Sequence, residues 1–241
     1  MHAKGLAPHQ ISVQRSSCHV NLLANLVLRY YCIPFNQISG IPEMKIITIT
    51  GFKGGIGKST SAIHLAGFFS GMAKVLVVDG DPNQTCISWA NRGSLPFTIV
   101  DQRQAVKMVA GHDYVLIDTP ARPDTDDIKE LAKGCDLLIL PTTPDVVSLE
   151  PLLEFTKNIR DTLYRVLLTI VPPAPNKEAD TIKQDLQNSG IPFFKTVIRR
   201  SVAYSKAALA GLTVKDIDDY KQRVYGADYE NLGHEIVEIL Q

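Results

Sequence analysis

The sequence predicts a three-layer α/β fold, with a mainly parallel sheet covered by helices on both faces. Two observations predict it, and a third argues against a transmembrane helix. Short, continuously apolar, β-branched runs alternate with segments whose apolar residues recur at helical spacing, the pattern of strands buried on both sides. Several runs close in an acid, a glycine or a proline, at the edge where open parallel sheets bind ligands. No run approaches the roughly 18 apolar residues that a membrane span needs.

The elements follow in order from Met44. "KIITIT" is a buried strand, and a glycine-rich loop follows it. "KSTSAIHLAGFFSGM" carries its apolar residues on one helical face. "KVLVVDGD" is a strand ending in acids, "TCISWANR" a short helix and "FTIVD" a strand. "RQAVKMVAG" is helical, and "YVLIDTP" is a strand that ends at Asp118. "DDIKELAKG" is a helix, "DLLILPTTP" a strand, and residues 146–160 a longer helix. "YRVLLTIVPP" predicts a strand, residues 178–188 a helix and "FFKTVI" a further strand. Helices over 202–210 and 227–240 complete the pattern. Neither internal repeats nor low-complexity tracts interrupt it.

At 241 residues the chain is expected to hold one domain with an appendage. A core of that size buries about three quarters of the unfolded surface and needs no staples. Lysines and arginines number 25 and acids 25, so a nucleic-acid surface would have to be a local patch. Cys18, Cys32, Cys86 and Cys135 show no metal-ligand spacing. They fit a reducing compartment, with Cys86 and Cys135 as small core residues. Residues 1–43 contain a single acid, Glu43, and form an N-terminal extension of doubtful order or a misassigned upstream start. A helix over 20–31, docking on the core or a partner, is the alternative. The working domain is residues 44–241.

The chemistry is concentrated in "GFKGGIGKST", residues 51–60. Gly54, Gly55 and Gly57 allow a tight turn whose N–H groups point inward, and the following helix adds its positive N-terminal end. Lys58 would reach the β- and γ-phosphates, Ser59 would ligate Mg²⁺, and Thr60 would bond the α-phosphate. Strand, loop and helix in this order specify the P-loop NTPase version of the fold. The ordinary loop would place a glycine at Phe52 and has no lysine at position 53. Asp118, closing a buried strand beside the loop, fits the Mg²⁺ shell. Asp81 would orient an attacking water or hold that shell, whereas Asp79 either takes part or braces the loop.

Together these residues resemble the ParA/MinD family of deviant Walker-A ATPases, from Met44 almost to the end. "KGGIGKST" is similar to the family's loop at every position, and "DGDPNQ" resembles its Asp-x-Asp-Pro-Gln segment, with Asn83 intruding before Gln84. "YVLIDTP" and "LILPTTPDVVSLEPLLEF" are also similar. The resemblance implies an ATPase that hydrolyses ATP to ADP and phosphate with Mg²⁺. Lys53, Lys58, Asp81 and Asp118 would do the catalytic work, and Ser59, Asp81 and Asp118 would hold the metal. The nucleotide would lie on residues 53–60, Ile56 included, with the base against Pro172 and Pro173. The family's extra lysine acts in trans in a nucleotide-sandwich homodimer, which implies that role for Lys53.

The resemblance is to the small ParA proteins and the McdA-like carboxysome-distribution group. It implies non-specific DNA binding through Arg199, Arg200 and Lys206, and a cargo adaptor of the ParB or McdB kind that stimulates hydrolysis. It also implies a cytoplasmic, nucleoid-associated location. A membrane partner is not expected, because "ENLGHEIVEILQ" lacks the basic face of a membrane-surface helix. A metabolic ATP-dependent enzyme of the same fold, without DNA binding, is the alternative.

Overall fold

The computed structural model describes residues 44–121, 125–157, 159, 162–173, 175 and 177–241. The 1–43 extension, with its expected helix, lies outside the described residues. Six parallel strands make one sheet: β1 (Lys45–Ile49), β2 (Val75–Asp79), β3 (Thr98–Asp101), β4 (Tyr114–Asp118), β5 (Leu137–Thr142) and β6 (Tyr164–Leu168). Their order is β3-β2-β4-β1-β5-β6.

The alternation of side chains along each strand separates two faces. Ile47, Ile49, Val75, Val77, Leu116, Leu137 and Ile139 point into one core. It is covered by α1 (Lys58–Phe69), α2 (Thr85–Ala90), α7 (Ala203–Ala210) and α9 (Gly226–Leu240). Ile46, Leu76, Val115 and Ile117 point the other way, against Ala105 of α3 (Gln102–Met108). On that face Leu138, Leu140, Val166 and Leu168 meet α4 (Thr125–Lys133), α5 (Val146–Thr156) and α6 (Lys177–Asn188). Helix α1 lies between the sheet and α9, so it is buried nearly all round rather than along one stripe.

Two sequence expectations need correction. "FFKTVI" forms an isolated bridge at Phe193, with a second at the following Arg199, rather than a strand. The reason is Glu235 on α9, whose carboxylate accepts from the Lys195 and Thr196 amides at 2.7 and 3.1 Å. Those amides are thereby withdrawn from a sheet ladder. The helix expected over 146–160 ends at Thr156. A 3₁₀ turn at Val214–Asp216 and a single-turn helix α8 (Tyr220–Arg223) are too short to show a period in the sequence.

Register positions the site. Asp79 of β2 and Ile49 of β1 both pair with Asp118 of β4, in one row at the carboxyl edge of the sheet. The glycine loop leaves β1 just above that row.

Candidate functional site

Gly55 and Gly57 sit at φ +76° and +87°, the left-handed region that a side chain would strain. Gly57 is also the N-cap of α1, so the loop delivers the helix end directly to the cleft. Helix α1 has no acid in its first turn, whereas α4 carries Asp126 and Asp127 there and α6 carries Glu178 and Asp180. In those helices a carboxylate meets the positive end, and in α1 that end is left for an anion. Thr169, just after β6, clamps the loop by donating to the Ile56 carbonyl at 2.8 Å.

A cleft of about 520 Å³ opens over this loop. Gly54, Gly55, Gly57, Lys58, Ser59, Thr60 and Asp81 line it, and Ile170, Ile198, Arg200 and Tyr204 form the far wall. Buried Ile56 supports the loop from beneath. Lys58 is 6% exposed and donates to the Lys53 carbonyl at 3.2 Å. Burial lowers its pKa, and the charges of Asp118 and Asp81 oppose that shift.

Asp118 is fully buried, and burial pushes its pKa up to about 6 against the Ser59 and Cys86 side chains, which favour the ionised form. Among the described residues its Oδ1 has no hydrogen-bond partner. A buried carboxylate oxygen left open beside a hydroxyl is an expensive arrangement without a cation or bound water, and so it fits a Mg²⁺ shell. Asp79 accepts from the Asp81 and Ile87 amides at 3.2 and 3.0 Å. It therefore braces the 81–87 turn, which separates the two roles the sequence left open. Asp81 accepts from the Asn83 amide and side chain, both at 2.9 Å, and faces the cleft.

Lys53 stands apart from Lys58. Its ammonium is 3.5 Å from Asp145, with 36% of the side chain exposed. Phe52 takes the place of the usual glycine by packing edge-on against Phe155, at 5.2 Å between ring centres. Pro172 and Pro173, expected against the base, are not in the cleft lining, which takes Thr169 and Ile170 instead.

The three expected DNA contacts differ in setting. The Arg199 Nε donates to both oxygens of Asp228, at 2.9 and 3.1 Å, and the guanidinium lies 4.8 Å from the Tyr225 ring centre. This fork holds α9 to the segment after Ile198. Lys206 pairs with Asp219 at 2.8 Å. Arg200 is exposed at the cleft mouth.

Sequence reasoning missed His64. Its Nδ1 donates to the Thr60 carbonyl at 2.7 Å, and its Nε2 accepts from the Val214 amide at 3.1 Å. The ring stacks on Tyr229 and meets Trp89 and Tyr204 edge-on. In the sequence it was one polar residue on a helix, with partners 150 positions away in the chain.

Fold and cleft together define a P-loop nucleotide-binding protein. Residues 47–214 match the CobQ/CobB/MinD/ParA nucleotide binding domain, and the chain belongs to that family as an ATPase of its ParA/MinD branch. The chain is 32% identical over 202 residues to the maintenance of carboxysome distribution protein A of Gloeobacter kilaueensis, covering 80% of this chain and 94% of that protein. Among solved structures, a plasmid partition protein of Borrelia burgdorferi bound to AMPPNP aligns with a TM-score of 0.65 at 20% identity. That alignment covers 82% of this chain and all of the other. An ATP complex of Cyanothece McdA aligns at 0.61 and 19% identity, over 80% and 98% of the two chains. At those identities the two structures establish the fold alone.

Proposed function

We propose that this chain is an ATP-dependent dimerising ATPase that binds nucleoid DNA non-specifically and positions or partitions a cargo, a carboxysome or a plasmid or chromosome. The observation that carries this reading is the pair of lysines. Lys58 is buried in its own cleft, while Lys53 is outside the cleft lining, beside Asp145 and with 36% of its side chain exposed. A lysine that serves its own nucleotide would be held as Lys58 is. A lysine meant for a partner's phosphate must remain on the surface until the partner arrives. The likeness to a carboxysome distribution protein over most of both chains supports the cargo class.

In the proposed cycle, residues 53–60 cradle the phosphates of ATP. Ser59, Asp81 and Asp118 would hold Mg²⁺, which when bound would neutralise charge at the transferred phosphoryl group. Lys58 balances the same charge in cis, and Asp81 orients the attacking water. Lys53 exchanges Asp145 for the second subunit's phosphate. The exchange costs little, because an exposed ion pair is worth under about 1 kcal/mol. An adaptor of the ParB or McdB kind on the cargo then accelerates hydrolysis. The protein works in the cytoplasm on the nucleoid. Among the described residues no helix is long and apolar enough to cross a membrane.

Two experiments test the reading. Binding to random-sequence duplex DNA is expected with ATP and not with ADP. It should fall steeply with salt, at a log–log slope near −0.9 per phosphate neutralised. Arg200→Ala should reduce that slope, and Arg199→Ala should act mainly by loosening α9, read as a lower melting temperature. Absence of DNA binding in every nucleotide state would favour a metabolic relative. Lys53→Ala should bind nucleotide but remain monomeric with ATP by light scattering; an intact ATP-dependent dimer would remove the trans role.

A further inference from the structure

Cys86 lies at the start of α2, fully buried, and its thiol donates to Asp118 Oδ2 at 3.3 Å. The same sulfur is 4.0 Å from the Ser59 carbonyl. It therefore touches both residues that bracket the metal position, without reaching the cleft itself. A residue chosen only for small volume would not need a donor aimed at a carboxylate. Asp79 sets the approach, because its two amide bonds fix the 81–87 turn that carries Cys86.

The two oxygens of Asp118 are then unequal: Oδ2 accepts from the thiol, and Oδ1 has no hydrogen-bond partner among the described residues, while the Ser59 side chain also favours the ionised carboxylate. A carboxylate with both oxygens free would rotate about its terminal torsion, whose preference is broad. Pinning one oxygen selects the orientation that turns the other toward its target. A thiol suits this use because it is a weak donor. It orients the group while withdrawing less negative charge from it than a hydroxyl or an amide would. Burial keeps the thiol protonated, and the negative charges of Asp118 and Asp79 act in the same direction.

We propose that Cys86 is a positioning residue for Asp118, holding Oδ2 so that Oδ1 is presented to the Mg²⁺ shell. The proposal rests on the assignment of Mg²⁺ to Ser59 and Asp118. Its test is a Mg²⁺ titration of fluorescent ATP-analogue binding to the full chain, for wild type, Cys86→Ala and Cys86→Ser. Cys86→Ala is expected to need roughly three- to tenfold more Mg²⁺ at half-saturation, the effect of losing one modest hydrogen bond. Its metal-free nucleotide affinity should not change. Cys86→Ser retains a donor and should restore the wild-type Mg²⁺ requirement, although it matches alanine in lacking the sulfur's bulk. Superimposable curves for wild type and Cys86→Ala would overturn the proposal. So would a serine variant as impaired as alanine, because the effect would then be one of packing. If wild type itself bound nucleotide without regard to Mg²⁺, the metal assignment would fall first, and that result needs no substitution to be seen.

Discussion

Lys58→Ala is expected to lower ATP turnover by roughly 10²–10³-fold, the usual cost of removing one preorganised charge-stabilising group. The effect is large because the ammonium is already stripped of water at 6% exposure, so it meets developing phosphate charge with little reorganisation. The same burial makes the lysine costly to the empty protein, as its lowered pKa indicates. Alanine should therefore leave the melting temperature of the nucleotide-free protein unchanged or raise it, while destroying turnover. Phosphate release and a thermal melt measure the two sides. A variant that hydrolyses ATP within about threefold of wild type would remove Lys58 from the mechanism.

Acid should unfold the protein through His64. Burial lowers its pKa from 6.5 to about 4, and both ring nitrogens are satisfied only in the neutral form. Protonation would place a second N–H against the Val214 amide. The folded pKa lies below the unfolded one, so the unfolded chain binds more protons between the two values. Stability is thus complete above pH 6.5 and is lost as pH falls towards 4, by about 3 kcal/mol in all. Asp118 works in the opposite direction. Its folded pKa of about 6 exceeds the ordinary carboxylate value of 3.8, so its contribution falls as pH rises through that window. Urea unfolding at pH 7 and pH 5 in wild type and His64→Gln separates them. The drop in stability on acidification should shrink in the variant, and an equal drop in both would acquit His64.

Much of the fold was legible because its strands are buried on both faces. "VLVVD" and "LLILPT" leave no exposed position, so continuous apolar runs mapped directly onto β2 and β5. The phosphate loop and Asp118 were legible for a related reason, since local backbone demands and strand ends are written in neighbouring residues. What was hidden depends on distant partners. "FFKTVI" has the composition of a strand, and only Glu235, some 40 positions on, decides against it. Arg199 read as a cation for DNA, and its pairing with Asp228 depends on a residue 29 positions on. Cys86 read as filler because a thiol's donor role depends on which carboxylate folds beside it. The cleft lining takes Thr169 and Ile170, and Pro172 and Pro173, expected against the base, lie just beyond Val171.

The dependence of the cleft on α9 has a consequence for synthesis. The phosphate loop leaves the ribosome early, but Tyr229, which lines the cleft and shares a 3.0 Å hydrogen bond with Ser61, is translated 168 residues after that serine. Glu235, which shapes the segment before Arg199, comes later still. A nascent chain thus displays the phosphate-binding sequence long before it possesses a finished pocket.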